Sequence, residues 1–145
     1  MLNTTSMFIT FHGRLEDSIK AFYEKLASDE RHEGVRDAFL ALAKENGKHK
    51  EMVLRAYREV VTDAFEGGFP LTRLNEEDYL LKTELPDEIS LSDVIKMAVE
   101  IEEKSREFCE DAAGSTKGLM ADVPQAFEWV AKRKTRRIGS LESLS

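Results

Sequence analysis

Apolar residues return every three or four positions over most of this chain, and nowhere do they alternate long enough to specify a strand. Phe8, Phe11, Leu15, Ile19, Phe22 and Leu26 form a stripe that predicts a first helix over about 6–28. The polar turn 29–34, ending in Gly34, permits a hairpin. Val35, Ala38, Phe39, Leu42, His49, Val53, Ala56, Val60 and Ala64 predict a second helix over about 35–65, roughly 45 Å long at 1.5 Å per residue. Gly67 and Gly68 are expected to stop it. Residues 66–90 carry Pro70, Pro86 and a short helix capped by Asn75, which reads as a long crossover rather than a tight turn. A third helix is predicted from Ser90 or Ser92 to Ala113, with Gly114 as its stop. A fourth starts after Asp122, with Pro124 in its first turn, and reaches about Ile138. The pattern predicts an all-α four-helix bundle with a long crossover between helices 2 and 3, in one domain spanning 1–145.

Composition narrows the class of function. The 34% charged residues suit helices with solvated faces, in a soluble globular chain. Cys109 is the only cysteine, so no disulfide framework and no paired-cysteine metal site is available, and a cytoplasmic protein is expected. The N-terminus lacks a basic, apolar leader, and no span approaches about 18 apolar residues, so no membrane segment is expected. A net charge of −7 argues against nucleic-acid binding. One local exception is the basic run Lys132, Arg133, Lys134, Arg136 and Arg137. It suits the negative end of a helix dipole, and only as an outward patch would it suit an acidic partner.

Polar residues interrupt the apolar stripes at mid-height. Glu102 falls among Val94, Ile95, Ala98, Val99, Ser105, Phe108 and Ala112. Asn46 and His49 lie between Leu42 and Val53, Lys134 and Arg137 lie among Phe127, Val130, Ala131, Ile138 and Leu141, and Glu16 flanks the first stripe one turn after His12. A buried ionised carboxylate costs several kcal/mol unless it is paired, hydrogen-bonded or metal-bound. Di-iron carboxylate bundles solve that problem with glutamates and Glu-x-x-His motifs from four helices. The two halves of the chain also read alike. The separations 49 − 16 = 33 and 137 − 102 = 35 suggest a duplicated two-helix unit in which one copy keeps a histidine and the other ends in arginine.

Glu16-x5-Phe22-Tyr23-x2-Leu26-Ala27, Leu42-Ala43-x5-His49, the crossover, and Ala98-x3-Glu102-x5-Phe108 together resemble the rubrerythrin branch of the ferritin-like superfamily over nearly the whole chain. The resemblance implies a ferritin-like bundle around two irons that react with peroxide or oxygen. It also implies a rubredoxin domain in full-length members, and none is expected here. Glu16 and Glu102 match the family's single glutamates, and His49 matches its first motif histidine. Asn46 stands where the motif glutamate belongs, with Glu45 one position early, and Lys134 and Arg137 replace the second motif's Glu and His. Protonated lysine and arginine do not ligate metals, so a full di-iron centre is not expected.

Two readings stay open. In one, Asn46, Lys134 and Arg137 replace the metals in a buried ion network around Glu16 and Glu102, and the protein has a binding or structural role without catalysis. In the other, a single Fe, Mn or Zn ion persists on Glu16, His49 and Glu102 with help from Glu45, and the protein is a metal-dependent oxidoreductase. Other residues have plainer expected roles. Glu45 and Glu103 are expected at the surface, His12 capping the core, His32 solvated in the turn, Cys109 as inert packing, and Trp129 in the core or an interface. A homodimer is expected from family analogy and from Phe69, Tyr79, Leu80 and Leu81 in the crossover.

Overall fold

In the computed structural model, which describes residues 1–60, 72–118 and 122–145, side-chain oxygens cap the starts of several helices, among them the expected Asn75 and Ser90. Thr4 accepts from the Met7 amide at 3.1 Å and opens α1 (Thr5–Ala27). Asp29 accepts from the Arg31 amide and starts a 3-10 turn, Glu30–Val35, that leads into α2 (Arg36–Val60). Asn75 caps a second 3-10 turn, Glu76–Tyr79. Ser90 accepts from the Asp93 amide at 3.1 Å and opens α3 (Leu91–Thr116), and α4 covers Asp122–Glu142. Each cap satisfies an amide that has no partner within its helix. Among the described residues there is no strand. An isolated antiparallel bridge ties Leu2 to Leu74.

The core consists of two apolar clusters. One joins Phe8, Phe11 and Leu15 near the start of α1 to Val53 late in α2, Phe108 and Ala112 late in α3, and Val123 and Phe127 early in α4. The other joins Tyr23 and Leu26 late in α1 to Phe39 and Ala43 early in α2, Val94 and Ala98 early in α3, and Leu141 late in α4. These sets fix the helix directions. α1 and α2 are antiparallel, α3 and α4 are antiparallel, and α2 and α3 run the same way. The chain between α2 and α3 therefore has to return along the length of the bundle. Accordingly Tyr79 packs at the Phe108 end, Leu81 touches both clusters, and Leu85 and Ile89 reach the Val94 end.

Several boundaries differ from the sequence reading. α3 passes through Gly114 because Thr116 is fully buried and its hydroxyl bonds back to the Ala112 carbonyl at 2.8 Å, so the packed face continues past the glycine. α4 runs four residues beyond Ile138, carrying Leu141 into the core. His32 is buried rather than solvated, edge-on to Phe39, because the 3-10 turn folds it under the end of the bundle. Tyr79 and Leu81 serve the chain's own core, and of the described crossover residues proposed for a dimer surface only Leu80 stands out in solvent. The expected end of the second helix, the Gly67-Gly68 stop, Phe69 and Pro70 lie outside the described residues. Among the described residues no helix is long and apolar enough to cross a membrane.

Candidate functional site

Between the two apolar clusters lies a charged layer with a contribution from every helix. Glu16 of α1, Asn46 and His49 of α2, Glu102 of α3, and Lys134 and Arg137 of α4 are each at most 2% exposed. The sequence periodicity puts them on the inward stripes, and the parallel run of α2 and α3 brings them to one level.

Arg137 organises the layer. Its Nε and Nη2 donate side-on to the two oxygens of Glu102 at 2.9 and 2.8 Å. Nη2 also donates to Asn46 Oδ1 at 2.9 Å, and Nη1 reaches Glu45 Oε1 at 3.1 Å and the Leu42 carbonyl at 3.2 Å. The planar guanidinium fork thus spends its donors on two helices at once. It also lies over the Tyr23 ring, 5.5 Å from its centre, while the Tyr23 hydroxyl donates to Glu102.

Lys134 sits between the carboxylates, with Nζ 2.8 Å from Glu16 Oε1 and 3.7 Å from Glu102 Oε1. The close approach to Glu16 is electrostatic and lacks the alignment of a hydrogen bond. Asn46 completes the circuit by donating from Nδ2 to Glu16 Oε2 at 2.8 Å while accepting from Arg137. A glutamate there would only accept, and would set a third carboxylate against Glu16. Asn46 and the two cations therefore form a consistent set.

Burial and charge pull against each other across the layer. Burial alone would raise the Glu16 carboxyl, but the Lys134 ammonium and the His12 and His49 rings outweigh it and hold the group well below the usual carboxylate range. Burial lowers His49, and the nearby Lys134 and Arg137 charges add to that against the attraction of Glu16. Burial, then the Glu102 charge, pushes the Tyr23 hydroxyl well up. Burial would lower Arg137, yet Glu102 more than compensates and raises it. With His49 neutral, two carboxylates face two cations in the buried layer. Glu45 extends it outward, bonded to Arg133 and Arg137 and 3.7 Å from His49 Nε2.

Three participants escaped the sequence reading. His12 is part of the layer, with Nε2 3.4 Å from Glu16 Oε1, and its position one turn before Glu16 was the available signal. Tyr23 holds Glu102, and Arg133 holds Glu45. Glu45 is half-buried rather than a plain surface residue, because Arg133 and Arg137 draw it inward. Glu103 is exposed. Trp129 is not core. It is 44% exposed, edge-on to His49 with ring centres 5.8 Å apart, and stacked with Arg133. Cys109 is fully buried and burial pushes its thiol far up, which leaves it no thiolate chemistry near neutral pH.

Among the described residues the acids and histidines form no group of three or more arranged to hold a metal ion. Oxygen and imidazole donors are nevertheless at hand. His12 Nε2 and both ring nitrogens of His49 have no hydrogen-bond partner, and His49 Nδ1 is 3.6 Å from Glu16 Oε2. Compared with known proteins, the chain matches no family model, no curated protein and no solved structure. The fold and site define a four-helix bundle with a charge-balanced layer across its middle.

Proposed function

We propose that this chain is a ferritin-like bundle of the rubrerythrin type in which an ion network holds the place of a dimetal centre, and that it serves a binding or structural role without redox catalysis. The observation that carries this reading is the position of Lys134 and Arg137, inside the bundle and against Glu16 and Glu102. Two irons bridged by carboxylates need about four carboxylates and two imidazoles from the four helices. Here Glu102 already shares both oxygens with a guanidinium, Glu16 faces an ammonium and an amide, and Asn46 donates where a ligand would have to accept. The donor set does not fit the dimetal centre of the family it resembles.

The unpartnered nitrogens of His12 and His49 beside Glu16 favour the second reading, a single Fe, Mn or Zn ion in an oxidoreductase. Metal analysis separates the two. Protein purified without chelator is expected to carry at most one metal ion per chain and to show no peroxidase turnover with a rubredoxin-type donor. Asn46→Glu, Lys134→Glu and Arg137→His together are expected to raise iron uptake toward two per chain while the helical circular dichroism signal is retained. Stoichiometric binding of two irons by the unmodified chain would overturn the proposal.

A further inference from the structure

A groove of about 290 Å³ runs between α2 and α4 on the outer side of the charged layer. At one end it is lined by Arg133, Arg136 and Arg137 against a single acid, Glu45, in a chain whose net charge is −7. At the other it is lined by Ala38, Leu141 and Leu144. Antiparallel packing of the two helices sets this polarity, since Arg133 bonds to Glu45 well along α2 whereas Leu144 packs with the cluster at its start. The groove follows the last turns of α4 from Arg137 to Glu142, roughly 8 Å at 1.5 Å per residue, and continues to Leu144 just beyond the helix end, a span that suits a medium-length alkyl chain.

The three arginines differ in what they have left to offer. Arg137 has committed its guanidinium to Glu102, Glu45, Asn46 and Leu42. Arg133 gives Nη2 to Glu45 and lies over the Trp129 ring, and its Nε is buried out of reach of a ligand, so of its nitrogens only Nη1 is left to face the groove. Arg136 is exposed and makes no ion pair or hydrogen bond among the described residues. Unspent guanidinium donors at the head of an apolar trough are the arrangement of a ligand site in which apolar contact supplies affinity and a few polar groups fix orientation.

We infer that the α2/α4 groove binds an amphiphilic carboxylate, a medium-chain fatty acid, with its headgroup on Arg136 and Arg133 and its chain along Ala38, Ala41 and Leu144. This goes beyond the metal-centre reading and does not rest on it, because the groove lies outside the buried layer and its occupancy is read independently of iron content.

The test is titration of the full chain with sodium octanoate, followed by calorimetry and by amide chemical shifts. Octylammonium, acetate and inorganic phosphate serve as comparison probes. Octanoate is expected to bind saturably at one site and to shift the amides of Ala38, Ala41 and Leu144. Octylammonium, with the same chain and the opposite charge, is expected to bind at least tenfold more weakly. Arg136→Glu is expected to weaken octanoate at least tenfold, and Ala41→Trp, which fills the trough from an exposed position, to abolish saturable binding. Both substitutions lie at the surface, and an unchanged melting temperature shows that the fold is kept. Equal binding of octanoate and octylammonium, acetate or phosphate binding as tight as octanoate, no saturable octanoate binding, or no effect of either substitution would each overturn the inference.

Discussion

Lys134 and Lys132 are two residues apart on the same helix, yet one is fully buried against two carboxylates and the other is exposed. Removing one charge of a desolvated pair strands its partner and costs about 3–5 kcal/mol, whereas an exposed substitution stays within about 0.5 kcal/mol. Lys134→Met is therefore expected to lower unfolding free energy in urea by far more than Lys132→Met, and equal midpoints would refute the buried network. Two groups make the layer sensitive to acid. His49 titrates below its ordinary 6.5 when folded, so the unfolded chain takes up that proton first, and stability present above about pH 6.5 declines as pH falls. Glu16, held below 4.5, adds a second loss that begins only below that value. Between pH 7.5 and 5.5 the wild type is expected to lose stability more steeply than His49→Gln, by up to about 1.4 kcal/mol per pH unit where the single proton is taken up. Identical slopes would remove His49 as the cause. At this scale the inward stripe, spacing and charge of Glu16, His49, Glu102, Lys134 and Arg137 were legible in the sequence. The roles of Tyr23 and Arg133 were not, because each reaches a carboxylate on another helix, and such a meeting depends on packing rather than on local period.

Helix starts were easier to read than helix ends. Ser90 and Asn75 act through a side-chain oxygen within three residues of themselves, a local interaction that a sequence displays directly. Gly114 failed as a stop signal because tertiary packing outweighed its local preference. Thr116, fully buried beyond the glycine with its hydroxyl bonded back to the Ala112 carbonyl, offsets the roughly 1 kcal/mol that a glycine costs in a helix interior. A Cβ at Gly114 would meet nothing within 4 Å, and the same holds for Gly47 in α2. Gly114→Ala and Gly47→Ala are each expected to stabilise the protein by about 0.5–1 kcal/mol, read as a raised melting temperature with unchanged helicity. A lowered melting temperature would show that these glycines admit a close approach that the structure does not contain. Removing the cap of α3 with Ser90→Ala is expected to cost about 1 kcal/mol, because the Asp93 amide then loses its acceptor.

Across the whole molecule, a layer of buried charge lies between two apolar clusters, and desolvating those charges is an expensive way to join the halves. The sequence displayed the ingredients of that layer but not its wiring, since the directions of four helices decide which cation meets which carboxylate. Its wiring implies that the charges are retained as a set. Glu16 and Lys134 neutralise one another, Arg137 neutralises Glu102, and Asn46 bridges the two pairs by donating to one and accepting from the other. Interaction terms within such networks reach about 0.5–3 kcal/mol, so single and paired substitutions should not add. Apolar replacement of both members of a buried pair is often neutral or stabilising, because the desolvation cost disappears with the charges. Glu16→Met combined with Lys134→Met is accordingly expected to be more stable than Lys134→Met alone, recovering much of its loss, although two core side chains have changed instead of one. Unfolding of wild type, both single variants and the double variant in urea closes the cycle. A double variant as damaged as the sum of the singles would show that Glu16 and Lys134 act separately, and the layer would then have to be rebuilt around Arg137 and Glu102 alone.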